Sequence, residues 1–152
     1  MKNLIDYIIE GLKITSQSKV NQKDKKTEAL KNIDTSNVSR SIRMSYRTPA
    51  QEETHYNKME AYKSKGSNPQ RLLNSIKDEH KLVMRWKVAI SIDWIECAVA
   101  FRDEIVKRGY FSEDELDAWA LNQYDRYSKN SSNPYVDKIK KYLDAIGVDY
   151  YG

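Results

Sequence analysis

The strongest constraint on the fold is an apolar periodicity in the second half of the chain. Apolar residues recur there at spacings of three and four, which is the repeat of one face of an α-helix. These residues are Val83, Trp86, Ile90, Trp94, Cys97, Phe101 and Ile105. Between Val88 and Phe101 apolar side chains fall on nearly every face, as in a helix that runs through the middle of a bundle. We therefore predict an all-α protein, a small helical bundle around one long central helix.

The alternation of Val88, Ile90 and Ile92 also fits a buried strand, but the continuous spacing from Leu72 to Ile105 favours a helix. Capping signals predict the other helix boundaries. Starts are expected at Thr48-Pro49, Asn68-Pro69, Ser112 to Glu115 and Asn133-Pro134, and ends at Gly66, Gly109 and Gly147. The predicted helical domain covers residues 48–147, with residues 68–147 best defined, and residues 148–152 are expected to form a frayed tail.

Positive charge is concentrated in the first half of the chain. Residues 1–67 carry thirteen Lys or Arg against eight Asp or Glu, which is 13 − 8 = +5, whereas the remaining residues carry 13 − 14 = −1. Residues 14–47 are mostly polar and basic, so we expect a flexible linker or arm. A lysine-rich segment of this kind is either simply solvated or associates with nucleic acid or another acidic surface.

Within this arm, residues 38–47 combine arginine with an aromatic residue. Arg40, Arg43, Tyr46 and Arg47 resemble the mixture found in nucleic-acid-binding arms and are candidate nucleic-acid-binding residues. A period-two pattern and a helix turn fit the segment about equally well, so its secondary structure stays open.

No catalytic or cofactor motif occurs in the sequence. It has no glycine-rich phosphate loop, no nucleophile elbow and no Cys or His at metal-ligand spacing. We therefore expect no enzyme activity, no cofactor and no metal. The single Cys97 is expected to be a core side chain, and His55 and His80 to be surface or capping residues.

Two carboxylates interrupt the most apolar run of the chain. Asp93 and Glu96 have no Lys or Arg three or four residues away, so each needs a tertiary partner or water. We expect them to face solvent or to pair with a basic residue of another helix, such as Arg126 or Lys140. The alternative is an acid–base site, which would require both carboxylates to line a pocket.

The run from Val88 to Phe101 is too short to span a bilayer, and the N-terminus lacks a secretory pattern. We expect neither export nor membrane insertion.

The apolar pattern of residues 1–13 predicts a short amphipathic helix. Its apolar stripe is a candidate partner-binding surface formed by Leu4, Ile5, Ile8, Ile9 and Leu12. A helix this short needs a surface to bury that stripe, either the core of this protein or another molecule.

The segment from Met1 to Gly11 resembles the capsid-targeting leader of internal head proteins of T-even-type tailed phages. The shared features are a Met-Lys start, an acidic residue before an aromatic one, and Ile-x-Glu followed by a small residue. The resemblance implies docking on a phage head or scaffold protein and cleavage between Glu10 and Gly11. It also implies a location in the virion or the host cytoplasm. The expected function is a non-enzymatic virion or packaged phage protein, the alternative being a cytoplasmic helical module that binds nucleic acid or a host protein.

Overall fold

The computed structural model describes residues 27–130 and 132–150, and every regular element within these ranges is an α-helix. The helices in chain order are α1 (Ser36–Met44), α2 (Pro49–Ser64), α3 (Pro69–Ser75), α4 (Glu79–Ser91), α5 (Ile95–Lys107), α6 (Glu113–Tyr127) and α7 (Pro134–Ile146). Residues 27–31 are also helical. The predicted all-α fold is confirmed.

Helix α4 lies at the centre of the bundle, because it packs against α1, α2, α5 and α7. Residues 82–86 and 88–90 of this helix are buried, so apolar side chains are enclosed on nearly all its sides. The seven residues whose periodicity predicted the core are all buried as well. Burial of this apolar surface is the main driving force for the fold.

The prediction of one long helix from Asn68 to Gly109 is wrong, because the chain breaks this segment into α3, α4 and α5. Ile76 adopts an extended backbone conformation at the first break. At the second break Asp93 has a left-handed φ of 59°. An unbroken helix over residues 69–107 would be roughly 60 Å long. Because the chain folds back at the breaks, α4 and α5 bury their apolar faces against each other. The apolar spacing continues across the break between them because both helices face one core.

Three aromatic side chains anchor the core where α4, α6 and α7 meet. The Trp86 and Trp119 ring centroids lie 5.2 Å apart. The Trp86 indole N–H donates to the Tyr142 hydroxyl at 3.0 Å, which satisfies both polar atoms inside the core. Burial raises the pKa of Tyr142, so this hydroxyl stays protonated.

The helix starts and stops predicted from capping residues are confirmed. Thr48 accepts a hydrogen bond from the Gln51 N–H at 3.2 Å, and Ser112 forms a reciprocal capping box with Glu115. Gly147 ends α7 with a left-handed φ of 72°, a conformation that glycine adopts without steric cost. These local signals therefore place most boundaries to within a residue or two.

The polar arm predicted over residues 14–47 is wrong within its described part. Residues 36–44 form α1, which packs against α4 and α6. Leu30, Val38 and Ile42 are buried in the core. The polar composition concealed a helix that buries only one narrow face. Residues 1–26, including the predicted leader, lie outside the described residues.

The tail predicted over residues 148–152 also packs on the bundle as far as residue 150. Val148 is buried, and the Asp149 carbonyl accepts a hydrogen bond from the Thr27 hydroxyl at 3.1 Å. The Tyr150 ring lies 4.9 Å from that of Tyr124. The two ends of the described chain therefore meet. In the described part of the chain, no helix is both long and apolar enough to cross a bilayer.

Candidate functional site

The outer face of α1 carries arginines and one exposed apolar side chain. Arg40 and Arg43 lie three residues apart on the same side of the helix, and Arg47 follows its end. All three arginines are exposed, and Met44 is 57% exposed. No carboxylate in the described ranges forms an ion pair with any of the three. We call Arg40, Arg43, Met44 and Arg47 the α1 basic face.

The inner side of α1 is fixed to the bundle by hydrogen bonds of two side chains that flank its buried face. The Ser41 hydroxyl lies 2.8 Å from His80 Nδ1 on α4. The Trp119 indole N–H of α6 donates to the Ser39 hydroxyl at 3.0 Å. Tyr46 is half-buried against the core, so only part of its ring is free to stack on a base. The structure thus places Arg40 and Arg43 on one exposed face of α1, with the exposed Arg47 just beyond its end, and buries part of Tyr46.

A chain of hydrogen bonds joins the end of α1 to α2 and α4 through His55. The Arg85 Nε–H donates to His55 Nδ1 at 2.7 Å, and His55 Nε2 lies 3.0 Å from the Ser45 carbonyl oxygen. Because an arginine N–H can only donate and a carbonyl can only accept, His55 carries its proton on Nε2. Burial lowers the pKa of His55; the bond to Ser45 opposes this, and the charges of Arg85, Lys81 and Lys58 reinforce it.

Arg85 itself is a buried cation without an acidic partner. It is 4% exposed, and no carboxylate among the described residues lies within ion-pair distance of it. Burial lowers the pKa of its guanidinium, while the adjacent Tyr62 hydroxyl acts in the opposite direction. A buried charge normally requires pairing, so this arrangement calls for an explanation.

Arg85 faces a small cavity between α2, α3 and α4. The cavity has a volume of about 60 Å³, and its polar lining comes from Lys58, Tyr62, Ser75, Lys81 and Arg85. The Ser75 hydroxyl donates to the Leu72 carbonyl at 2.7 Å. The lining therefore contains three cationic groups and no carboxylate. We call this space the Arg85 cavity.

The second buried arginine, Arg102 on α5, is fully paired. Its Nε and Nη2 donate to the two oxygens of Asp117 at 2.7 and 2.8 Å. Nη2 also donates to Glu113 at 2.8 Å, and Nη1 lies 3.3 Å from Asp103. Although burial alone lowers the pKa of Arg102, the hydrogen bonds and the charge of Asp117 raise it above its usual value. This group joins α5 to α6.

Asp93 lies in the turn between α4 and α5, and Glu96 lies in the first turn of α5. Asp93 accepts a hydrogen bond from Lys141 Nζ at 3.0 Å, so its partner is on α7 but is neither Arg126 nor Lys140 as expected. Glu96 is exposed. Asp93 also supplies the left-handed residue of the turn, a conformation that aspartate adopts more readily than most residues. These contacts give Asp93 a structural role at the break.

Neither histidine lies in a metal site. Among the described residues, no group of three or more His, Cys, Asp or Glu side chains is arranged to hold a metal ion. Cys97 is buried. Burial raises the pKa of its thiol to about 12, with the neighbouring Glu96 acting in the same direction. A thiol of this kind is a poor nucleophile near neutral pH.

A tyrosine-lined groove is a further feature that the sequence did not indicate. Two adjoining depressions of about 610 and 270 Å³ share Tyr56 and Ser91. Two of the lysines that line them already have partners. Lys63 donates to the Ile92 carbonyl at 2.8 Å, and Lys87 lies 3.5 Å from Glu52. The groove therefore presents less free positive charge than the α1 basic face.

Comparison of the chain with protein-family models, curated proteins and solved structures gives no significant match. Its function therefore has to be argued from its own residues. Sequence reasoning found the arginines of the α1 basic face but missed the Arg85 cavity. A signal was present: Arg85 is a lone arginine inside an apolar run, four residues after Lys81. The leader residues, namely Leu4, Ile5, Ile8, Ile9, Glu10, Gly11 and Leu12, lie outside the described residues.

Proposed function

We propose that this chain is a non-enzymatic helical binding module that holds nucleic acid through the α1 basic face. The observation that carries the proposal is the exposure of Arg40 and Arg43 on one face of α1 and of Arg47 just beyond it, without an acidic partner among the described residues. An arginine that already pairs with a carboxylate has to break that pair before it binds phosphate. Arg40, Arg43 and Arg47 have no such pair to break within the described ranges.

The shape of the surface supports contact with a phosphate backbone. Arginine guanidinium groups bind phosphate oxygens in a bidentate geometry, and exposed side chains on one helix face can follow successive phosphates. The inner face of α1 is held by Ser39 and Ser41, so the arginines project from a fixed helix. Binding of this type is largely independent of base sequence and falls as salt rises.

The test is salt-dependent binding of the full chain to a short duplex and to a short single strand. Each phosphate contact contributes about −0.7 to −0.9 to the slope of log K against log salt. The variant Arg40→Gln/Arg43→Gln/Arg47→Gln should bind more weakly at low salt, and its slope should be shallower by about two units.

A matched control separates a specific surface from general charge. Lys65, Arg71 and Lys107 are exposed, and none of their side chains forms an ion pair among the described residues. Changing all three to Gln lowers the net charge from +4 to 4 − 3 = +1, as the first variant does. The control should keep most of the wild-type affinity. Equal weakening by both variants, or no binding at about 50 mM salt, would refute the proposed surface.

A second candidate function rests on residues 1–11, whose pattern resembles a capsid-targeting leader. In this reading Leu4, Ile5, Ile8, Ile9 and Leu12 dock on a phage head or scaffold protein, and the chain is packaged beside DNA. Mass spectrometry of purified virions tests it. A mature form that begins at Gly11 would support packaging with processing, whereas absence of the chain from virions would exclude it.

A further inference from the structure

We propose that the Arg85 cavity binds one phosphate group, with Arg85 as its main ligand and Lys58 and Lys81 at its rim. This inference goes beyond the proposed function, because it concerns a different surface formed by α2, α3 and α4. The shared chemistry is a tetrahedral phosphate oxyanion, which is either free inorganic phosphate or the terminal phosphate of an ester whose remainder stays outside.

The first step is the charge of the site. Arg85 is 4% exposed, and Lys58 and Lys81 add positive charge to the same lining. The carboxylate of Asp78 at the start of α4 accepts the Lys81 backbone N–H at 2.7 Å and serves as the helix cap. A dianion would supply the counter-charge that the described residues do not.

The second step is the orientation of the guanidinium. Its Nε–H is held by His55 at 2.7 Å, and an arginine has five N–H donors in all. The other four donors are on the terminal nitrogens, and no described carboxylate or backbone carbonyl accepts from them. The Tyr62 hydroxyl lies beside the guanidinium. Such a fixed fork matches the geometry of a phosphate group.

The third step concerns the carbonyl groups at the end of α3. The last carbonyls of this helix, those of Leu73 and Ile76, accept hydrogen bonds from Arg108 at 2.9 and 2.7 Å. Arg108 is in turn paired with Glu104 at 3.1 Å. Arg108 therefore satisfies these two carbonyls at the end of α3, and they do not need Arg85 as a donor.

The fourth step is size. The cavity volume of about 60 Å³ exceeds the roughly 10 to 15 Å³ that one water molecule needs and is far below the roughly 300 to 1,000 Å³ of a pocket for a drug-sized ligand. This space is on the scale of one tetrahedral oxyanion and is too small for a nucleoside. Only the phosphate end of a larger ligand can enter.

The test is calorimetric titration of the full chain with inorganic phosphate at constant ionic strength, with sodium chloride as the reference. Phosphate should bind and should raise the melting temperature above that in chloride. Arg85→Met removes the charged hydrogen bonds, so its affinity for phosphate should fall about 10- to 100-fold. The matched control Arg71→Met, at an exposed position on the neighbouring α3, should bind as the wild type does.

Further variants keep the test decisive if Arg85→Met folds poorly. Lys58→Gln and Lys81→Gln alter only the rim and should each weaken phosphate binding by a smaller factor. An oligonucleotide with a 5′-phosphate, compared with its 5′-hydroxyl form, distinguishes an ester from the free ion. Tighter binding of the phosphorylated form than of both its 5′-hydroxyl form and inorganic phosphate would assign the ester as ligand.

The proposal would be overturned if phosphate bound no better than chloride. It would also be overturned if Arg85→Met and both lysine variants left phosphate binding unchanged. The variant Arg40→Gln/Arg43→Gln/Arg47→Gln should still bind phosphate. Its behaviour therefore separates failure of the cavity from failure of the α1 basic face.

Discussion

Two buried arginines in this protein have opposite surroundings. Arg85 is 4% exposed and Arg102 is 8% exposed, so both guanidinium groups are largely removed from water. Arg102 is held by both oxygens of the fully buried Asp117. Arg85 has a neutral histidine and a tyrosine hydroxyl beside it instead. Arg102 therefore joins two helices, whereas Arg85 is available to a ligand.

The difference follows from where acidic residues fall in the sequence. Asp117 lies on α6, one helix turn after Glu113, and this face of α6 meets α5. The helices that surround Arg85 bring Lys58, Lys81 and Tyr62 to it. Burial alone therefore does not indicate whether an arginine stabilises the fold, because its partner decides the energy.

The largest expected effect is that of removing the partner of Arg102. Asp117→Asn removes the only fully buried counter-charge of Arg102, whose other described carboxylate partners, Glu113 and Asp103, are exposed; it should lower the free energy of unfolding by about 3 to 5 kcal/mol. Urea denaturation followed by circular dichroism measures this loss. Asp103→Asn is the matched control, because the Asp103 side chain is 66% exposed, and it should cost less than about 1 kcal/mol. Equal effects of the two substitutions would contradict the structural role of Asp117.

A double substitution should restore most of that loss. Arg102→Met/Asp117→Leu replaces the buried pair with apolar side chains, and such replacements are often neutral or stabilising. We expect an unfolding free energy within about 2 kcal/mol of the wild type. Stability as low as in Asp117→Asn would show that the pair contributes specific geometry that apolar packing does not replace.

Arg85→Met should have a smaller effect on stability than either change above. No described carboxylate depends on Arg85, and the half-buried His55 can exchange its lost donor for water. In phosphate-free buffer the free energy of unfolding should change by less than about 1 kcal/mol. Arg102→Met in the same buffer should cost about 3 to 5 kcal/mol. If both substitutions destabilise equally, the distinction between the two arginines fails.

The smallest effect is a pH dependence that arises from His55. Burial, reinforced by the charges of Arg85, Lys81 and Lys58, places the pKa of His55 in the folded state below its ordinary value of 6.5. As pH falls below 6.5, His55 takes up a proton in the unfolded chain before it does so in the folded chain. The stability that the neutral His55 contributes is therefore lost as pH falls from 6.5 through the pKa of the folded state. Above 6.5 it is fully present.

His55→Gln should remove this part of the pH dependence. Chemical denaturation of the wild type and the variant at a series of pH values, in buffers without phosphate, gives the difference in slope. The wild type should lose more stability than the variant as pH falls through the region below 6.5. Parallel curves would mean that His55 is not shielded by its neighbours.

Local sequence signals predicted the helix ends well because capping is a local interaction. Thr48, Asn68, Ser112 and Asn133 each accept a hydrogen bond from a backbone N–H two or three residues later. Nothing distant in the chain is needed to form these bonds. The same locality explains why the break at Asp93 was missed: no Gly or Pro marks it, and the apolar spacing continues across it.

The site could be predicted only in part, for a related reason. Arg40, Arg43 and Arg47 were found because exposure of arginine is the usual outcome. Arg85 was missed, because an arginine in an apolar helix can be paired, exposed or free, and one-dimensional spacing does not distinguish these states. His55 lies 30 residues away from it in sequence.

By itself the sequence determined the helical class, the caps and the core residues between Val83 and Ile105, since these depend on near neighbours and on apolar periodicity. Tertiary structure alone decided that the predicted central helix folds into α3, α4 and α5, and that residues 36–44 pack as a helix. It also decided which buried arginine meets a carboxylate. The physical reason is that pairing and burial depend on contacts between distant segments, and only the packed bundle defines those contacts.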